Sequence, residues 1–226
     1  MAENVDVEQL ILETRQFEFA DGLREIQYGL LLGSIGFITW VGIHPEWLAY
    51  VFRLTQDFGS WAVWMAFILI WLIPIAAAFG TLALMNFARR RWLWRESGMV
   101  KASRIAVSRR VNIIAAVTLL VGLVVGFRLP PVTAVDEWYA ARVLYASMGW
   151  ASGVFFIAFS RDIGLRRYLW IGLIGGLAST LLLLFPLQFG EAGLVFGLGW
   201  GVMLLASGAA VLWGARKKTA GENIDG

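Results

Sequence analysis

Cysteine is absent from the 226 residues. That excludes disulfides, thiolate nucleophiles, Cys-ligated zinc or iron–sulfur clusters, and lipid attachment at cysteine. Histidine occurs once, at His44, so a bis-histidine haem within one chain is excluded and any Ser-His-Asp site would have to use that residue. Charge is scarce as well. Asp, Glu, Lys and Arg make up 15% of the chain, against about 25% in an ordinary soluble domain, and a soluble fold of this composition would leave apolar surface that it could not cover. A basic stretch ahead of the first apolar run is also missing: Glu3, Asp6, Glu8 and Glu13 stand where a signal peptide carries cations, so the segment is expected to be retained, as a cytosolic tail. The pI near 9.5 accompanies a net charge of only +3, and the cations cluster at the ends of apolar runs. They therefore read as topology signals and lipid contacts, with no nucleic-acid partner expected.

What is present is apolar length. Hydrophobic residues are 59% of the chain and its mean hydropathy is +0.69. Six apolar runs can be marked off: Ile26–Ile43, Trp61–Asn86, Val111–Phe127, Trp138–Phe159, Tyr168–Leu187 and Ala192–Gly214. Each is long enough to cross a hydrocarbon core of about 30 Å at 1.5 Å per residue. The fold expected is all-α, a polytopic transmembrane bundle of six spans over residues 26–214, arranged as three two-helix hairpins. Sixteen of the nineteen Lys and Arg residues fall on one side of this threading, leaving Arg53, Arg128 and Arg142 on the other. Positive charge is retained in the cytoplasm, so both termini are placed there and the chain in a bacterial cytoplasmic membrane. A faint repeat, Arg24 with Gly29-Leu30 and Gly33 against Arg167 with Gly172-Leu173 and Gly176, fits three hairpins each entered from a cytoplasmic cation.

Between the runs, residues 1–25 form an acidic segment in which Leu12, Phe19, Leu23 and Ile26 make one helical stripe, and Asp21-Gly22 can cap a helix leading into the first span. Residues 215–226, with Arg216, Lys217 and Lys218, read as a basic and then disordered tail. On the outer side His44-Pro45-Glu46 has Pro at a first helical position and an acid in the first turn, predicting a short interfacial helix through Trp47 and Phe52. Thr133 and Asp136 have capping-box spacing ahead of the fourth span. His44, Glu46, Asp136, Glu137 and Glu191 could gather an oxygen-rich metal site, but none is at diagnostic spacing and outer-loop acids ordinarily face water, so no metal and no cofactor is expected.

Asp, Glu, Lys and Arg are absent from the cores of the apolar runs, Arg142 standing at a helix start, and with them the usual marks of proton relays and ion pathways. Small residues recur four apart, notably at Gly172 and Gly176 and at Gly193, Gly197 and Gly201. In lipid such spacing brings helix backbones together, either within one bundle or along a homodimer seam. The twelve tryptophans lie mostly near span ends, as an aromatic belt requires, with Trp64, Trp71, Trp150 and Trp200 deeper.

The basic island 86–110 is the strongest single feature. Arg89, Arg90, Arg91, Trp92, Trp94, Arg95, Lys101 and Arg104 are expected to form a cytoplasmic surface for anionic headgroups or a protein partner. The run Asp21-Gly22-x-x-Glu25-Ile26-x-x-Gly29 before the first span, taken with Arg95-Glu96-Ser97-Gly98-Met99-Val100 after the second, resembles a group of uncharacterised bacterial multi-span membrane proteins. In those a Y-P-R-x-G-Y-V-like segment occupies the second position, and here its Pro and Tyr are missing. The resemblance implies a multi-span fold and no activity. The expectation is a non-enzymatic membrane component, an accessory or regulatory subunit or a binder of lipid or apolar ligands. A permease for a neutral or apolar solute is the alternative, and a lipid-modifying membrane enzyme the third reading.

Overall fold

The structure is a computed structural model that describes Phe19 and residues 21–89, 108–129 and 137–222, with side chains to residue 214. The described residues are helical, without strands. Helix α1 spans Leu23–Ile43, α2 Pro45–Phe58, α3 Trp61–Ala88, α4 Arg109–Arg128, α5 Tyr139–Ile163, α6 Arg166–Thr180 and α7 Phe189–Glu222. Five of them, α1, α3, α4, α5 and the Phe189–Gly214 part of α7, are long and apolar enough to cross a membrane. The molecule is thus a transmembrane helical bundle.

The helix ends follow from local chemistry. Gly22 adopts φ 73° and Asp21 Oδ1 accepts a hydrogen bond from the Leu23 amide at 3.0 Å, which starts α1 three residues before the apolar run does. Pro45 opens α2 directly after the extended His44, because proline has no amide to leave unsatisfied at the first turn. Pro74 lies inside α3 without ending it. Gly164, at φ 71°, closes α5 in the left-handed conformation that favours glycine. Glu191 Oε2 accepts from the Gln188 amide at 2.9 Å at the start of α7. That helix continues through Arg216, Lys217 and Lys218 to Glu222, so residues expected in a loose tail extend the last helix instead.

The fifth apolar run differs most from expectation. Its α-helix stops at Thr180 and tightens into a 3₁₀ turn over Leu181–Leu183. Pro186 is the physical reason: it cannot donate to the preceding turn and biases Phe185 away from helical geometry. The freed Phe185 carbonyl accepts instead from the Leu187 amide at 2.8 Å and from Arg142 Nη1.

Six of the seven described helices sort into two groups of three, with α2 packed on α3. α1 lies between α7, its main partner, and α3, whereas α5 lies between α6 and α4. In each group one helix pair, α1–α7 or α5–α6, makes contact backbone to backbone. Glycines Gly22, Gly29 and Gly36, one every two turns, face Gly208, Gly201 and the Gly193–Gly197 pair of the antiparallel α7. A Cβ on Gly29 would lie 2.7 Å from the Gly201 carbonyl oxygen, and one on Gly197 would lie 2.6 Å from Gly36 Cα. In the other group Gly153 meets Gly172 and Gly176, a Cβ there falling 2.9 Å from Gly176 Cα. Between the groups the contact changes character and is made by rings: Phe156 stacks on Trp200 at 5.6 Å, Phe19 meets Phe159 edge-on at 5.1 Å, and Tyr145 packs on Phe196 at 5.7 Å.

The glycine seam gives a direct test. Gly201→Leu should separate α1 from α7 and lower the detergent-solubilised melting temperature, with a cost of about 1–3 kcal/mol. Gly80→Ala, where a Cβ meets nothing within 4 Å, should leave the melting curve in place. Equal curves for the two variants would remove the seam from the stability of the fold.

Candidate functional site

The start of α1 carries two carboxylates in positions from which water is excluded. Asp21 is 7% exposed and is gripped by Arg89 at the end of α3, with Nε to Oδ2 at 2.6 Å and Nη2 to Oδ1 at 3.1 Å. One turn on, Glu25 is 1% exposed and its Oε1 lies 2.8 Å from Nη2 of Arg167 at the start of α6. The same Nη2 donates to the Phe19 carbonyl. The Tyr168 hydroxyl lies beside the Glu25 carboxylate and the Arg167 guanidinium, and that guanidinium sits 5.2 Å from the Tyr168 ring centroid. These contacts tie α1, α3 and α6 at one end of the bundle, with Phe159 of α5 packed on Phe19 beside them. Removing one member of a buried pair leaves the other charge uncompensated, so the cluster holds together as a unit.

Above Glu25 a crevice of about 480 Å³ opens between the two helix groups. Leu31 and Leu32 of α1, Ala115 and Leu119 of α4, and Phe155 and Phe156 of α5 form its walls. Glu25, Phe19 and Tyr168 lie at its charged end. Glu25 Oε2 is buried and has no hydrogen-bond partner among the described residues. Two further apolar crevices lie between the groups. One of about 480 Å³ is bordered by α1, α3, α5 and α7 near Tyr145 and Thr39, and one of about 650 Å³ lies between α6 and α7 near Ser179 and Trp200. In the latter, Trp200 Nε1 donates to Ser179 Oγ at 3.2 Å and Ser179 Oγ donates to the Gly175 carbonyl at 2.8 Å.

At the opposite end of α5, Arg142 is fully buried, donates to the Phe185 carbonyl and lies 5.7 Å from the Tyr139 ring. Tyr139 itself donates to the Gly126 and Leu129 carbonyls at 2.8 and 2.9 Å. Both residues satisfy carbonyls that helices leave open at their ends.

These positions bear on two sequence expectations. The run cores lack ionisable side chains, yet Asp21, Glu25, Arg89 and Arg142 are buried at the ends of the bundle. They escape a reading by apolar runs because each lies within about a turn of a run's end. Arg89, expected on a headgroup-facing surface, is 3% exposed and committed to Asp21. The rest of that surface, Arg90, Arg91, Trp92, Trp94, Arg95, Lys101 and Arg104, lies outside the described residues, as do Asp136 and all of segment 1–18.

Of the outer acids, Glu46, Glu137 and Glu191 are exposed, Glu191 caps α7, and His44 packs edge-on against Trp40 at 5.1 Å. Among the described residues no three His, Cys, Asp or Glu side chains gather in a group able to hold a metal ion. Gly193, Gly197 and Gly201 face α1 of their own chain, and Gly172 and Gly176 face α5. Trp64 and Trp71 lie on the outside of α3, 71% and 51% exposed, whereas Trp200 is buried between the groups. No family model, curated protein or solved structure matches the chain.

Alanine at either Asp21 or Arg89 is expected to cost about 3–5 kcal/mol of stability, while the double variant should cost clearly less than the two together. Unfolding of the four proteins in mixed micelles measures this coupling, and simple additivity would mean that the pair contributes nothing as a pair.

Proposed function

We propose that this chain is a non-enzymatic, six-span integral membrane protein that binds a lipid-like or other apolar molecule between its two helix groups, with both termini in the cytoplasm. The observation carrying this reading is the contrast in packing. Glycine-lined contacts close each group tightly, while all three crevices, walled by aliphatic and aromatic side chains, lie between the groups. Volumes of 480 to 650 Å³ fall within the range of about 300–1,000 Å³ usual for small-molecule sites. The crevices carry few polar groups, which suits a guest drawn from the bilayer better than a hydrated solute.

The sixth span is α6 together with its 3₁₀ turn, about 28 Å long at the rise of the two helix types. Its first residues touch α1 at the Asp21–Glu25 end, and the chain just beyond it meets Arg142 at the other end of α5. These two contacts support reading α6 as a crossing helix. The distribution of Lys and Arg then sets the Asp21 end in the cytoplasm, and a role as an accessory or regulatory subunit is compatible with a bundle of this kind.

The cysteine-free chain suits accessibility mapping. Single cysteines at Gly164 and Gln188 should react with impermeant maleimide from opposite sides of the membrane, the first only from the cytoplasmic side. Reaction of both from one side would reduce the bundle to five spans. Native mass spectrometry of the protein released gently from membranes should retain a lipid-sized adduct, and bare protein under conditions that preserve control lipid complexes would remove the binding role.

A further inference from the structure

We infer that the crevice above Glu25 selects a guest with an uncharged hydrogen-bond donor, such as a hydroxyl, at the end of an apolar body. This rests on the apolar-ligand reading above and deepens it. A crevice walled by Leu31, Leu119, Phe155 and Phe156 alone would accept any hydrocarbon that fits. Its charged end is selective. Glu25 is 1% exposed, Oε1 faces Arg167 at 2.8 Å, and Oε2 accepts no well-formed hydrogen bond among the described residues, with the Tyr168 hydroxyl, also without one, beside the carboxylate. A buried carboxylate oxygen without a partner is costly, and a guest donor placed there removes that cost.

The charge of the guest follows from the charges already present. Glu25, at the end of the crevice, is balanced by Arg167, and Asp21 one turn back by Arg89, so each buried carboxylate there is matched by an arginine. An ammonium head would add an unmatched charge in a medium that solvates it poorly, and an anionic head would face the Glu25 carboxylate at close range. A neutral hydroxyl avoids both penalties. The guest would lie with its hydroxyl near the α1 start and its apolar body along α4 and α5 toward mid-bilayer, the arrangement of a membrane alcohol with its head at the interface. The ring faces of Phe155, Phe156 and Phe159 suit an unsaturated or fused-ring body as well as a straight chain.

The test uses three photoactivatable probes with one sixteen-carbon chain, ending in a hydroxyl, a methyl ether or a primary ammonium. They are added to the full-length protein in vesicles of neutral phospholipid, and sites of labelling are mapped by mass spectrometry. The alcohol should label α4 and α5 around Leu119 and Phe155 about tenfold more strongly than the ether, as one hydrogen bond to a charged acceptor implies, and more strongly than the ammonium. In a Glu25→Leu/Arg167→Met variant, which removes both charges together, alcohol and ether should label alike. Equal labelling of the wild type by alcohol and ether, or preference for the ammonium, would overturn the selectivity while leaving the apolar-ligand reading intact. Absence of crevice labelling by every probe would instead remove that reading itself. Retention of the alcohol preference in the double variant would assign the selectivity to another group.

Discussion

Backbone contact between α1 and α7 is the constraint on which the bundle rests. In water, helices associate because apolar faces leave solvent; in a bilayer the surrounding chains are as apolar as leucine, and that drive is lost. What remains is dispersion, which falls off within an ångström, so helices must come as close as their backbones allow. Gly22, Gly29 and Gly36 against Gly193, Gly197, Gly201 and Gly208 provide that closeness over the whole length of α1. The Gly153, Gly172 and Gly176 contact does the same for α5 and α6. With two tight groups formed this way, the contact left between them falls to large rings, and rings of fixed shape leave gaps.

The buried charges serve a different purpose from the glycines. The glycine seam brings the helices close but places no charge that a slide along it would strand. The bidentate Asp21–Arg89 pair and the Glu25–Arg167 contact do place such charges: a shift of one turn, about 5.4 Å, would break them and strand charges away from water. They set the register in which α3 and α6 meet the start of α1. Arg142 and Tyr139 do comparable work at the other end, where α6 and α4 finish with open carbonyls.

How much of this could be read from the residues varies by feature. The helical class, the run positions and the α2 helix after His44-Pro45 were legible because apolar length and proline chemistry act locally. The small-residue stripes were legible as contact faces, but not their partners, since a four-residue spacing says that something approaches and not what. Hence Gly193–Gly201 left an intersubunit seam open beside the favoured packing within one bundle, and the structure places α1 there. The charged cluster was hidden for a related reason. Asp21 and Arg89 are 68 residues apart, and each alone resembles an ordinary interfacial charge at the end of a span. Arg142 was hidden by counting with loop cations although it lies inside α5. Pro186 was the one visible cue that the fifth run would not remain α-helical to its end.

The pairing of α1 with α7 also imposes an order on synthesis. α4, α5 and α6 follow one another along the chain and can close on each other as they emerge. α1, the earliest described helix, has its main partner in the last, so its glycine face must wait in the bilayer while more than 140 residues are made. During that interval α3, held through Arg89 to Asp21, is the neighbour that keeps α1 in place. A ribosome stalled before α7 would therefore leave one finished three-helix group and one helix pair with an open backbone groove, the form of the chain that a membrane chaperone or quality-control protease would meet first.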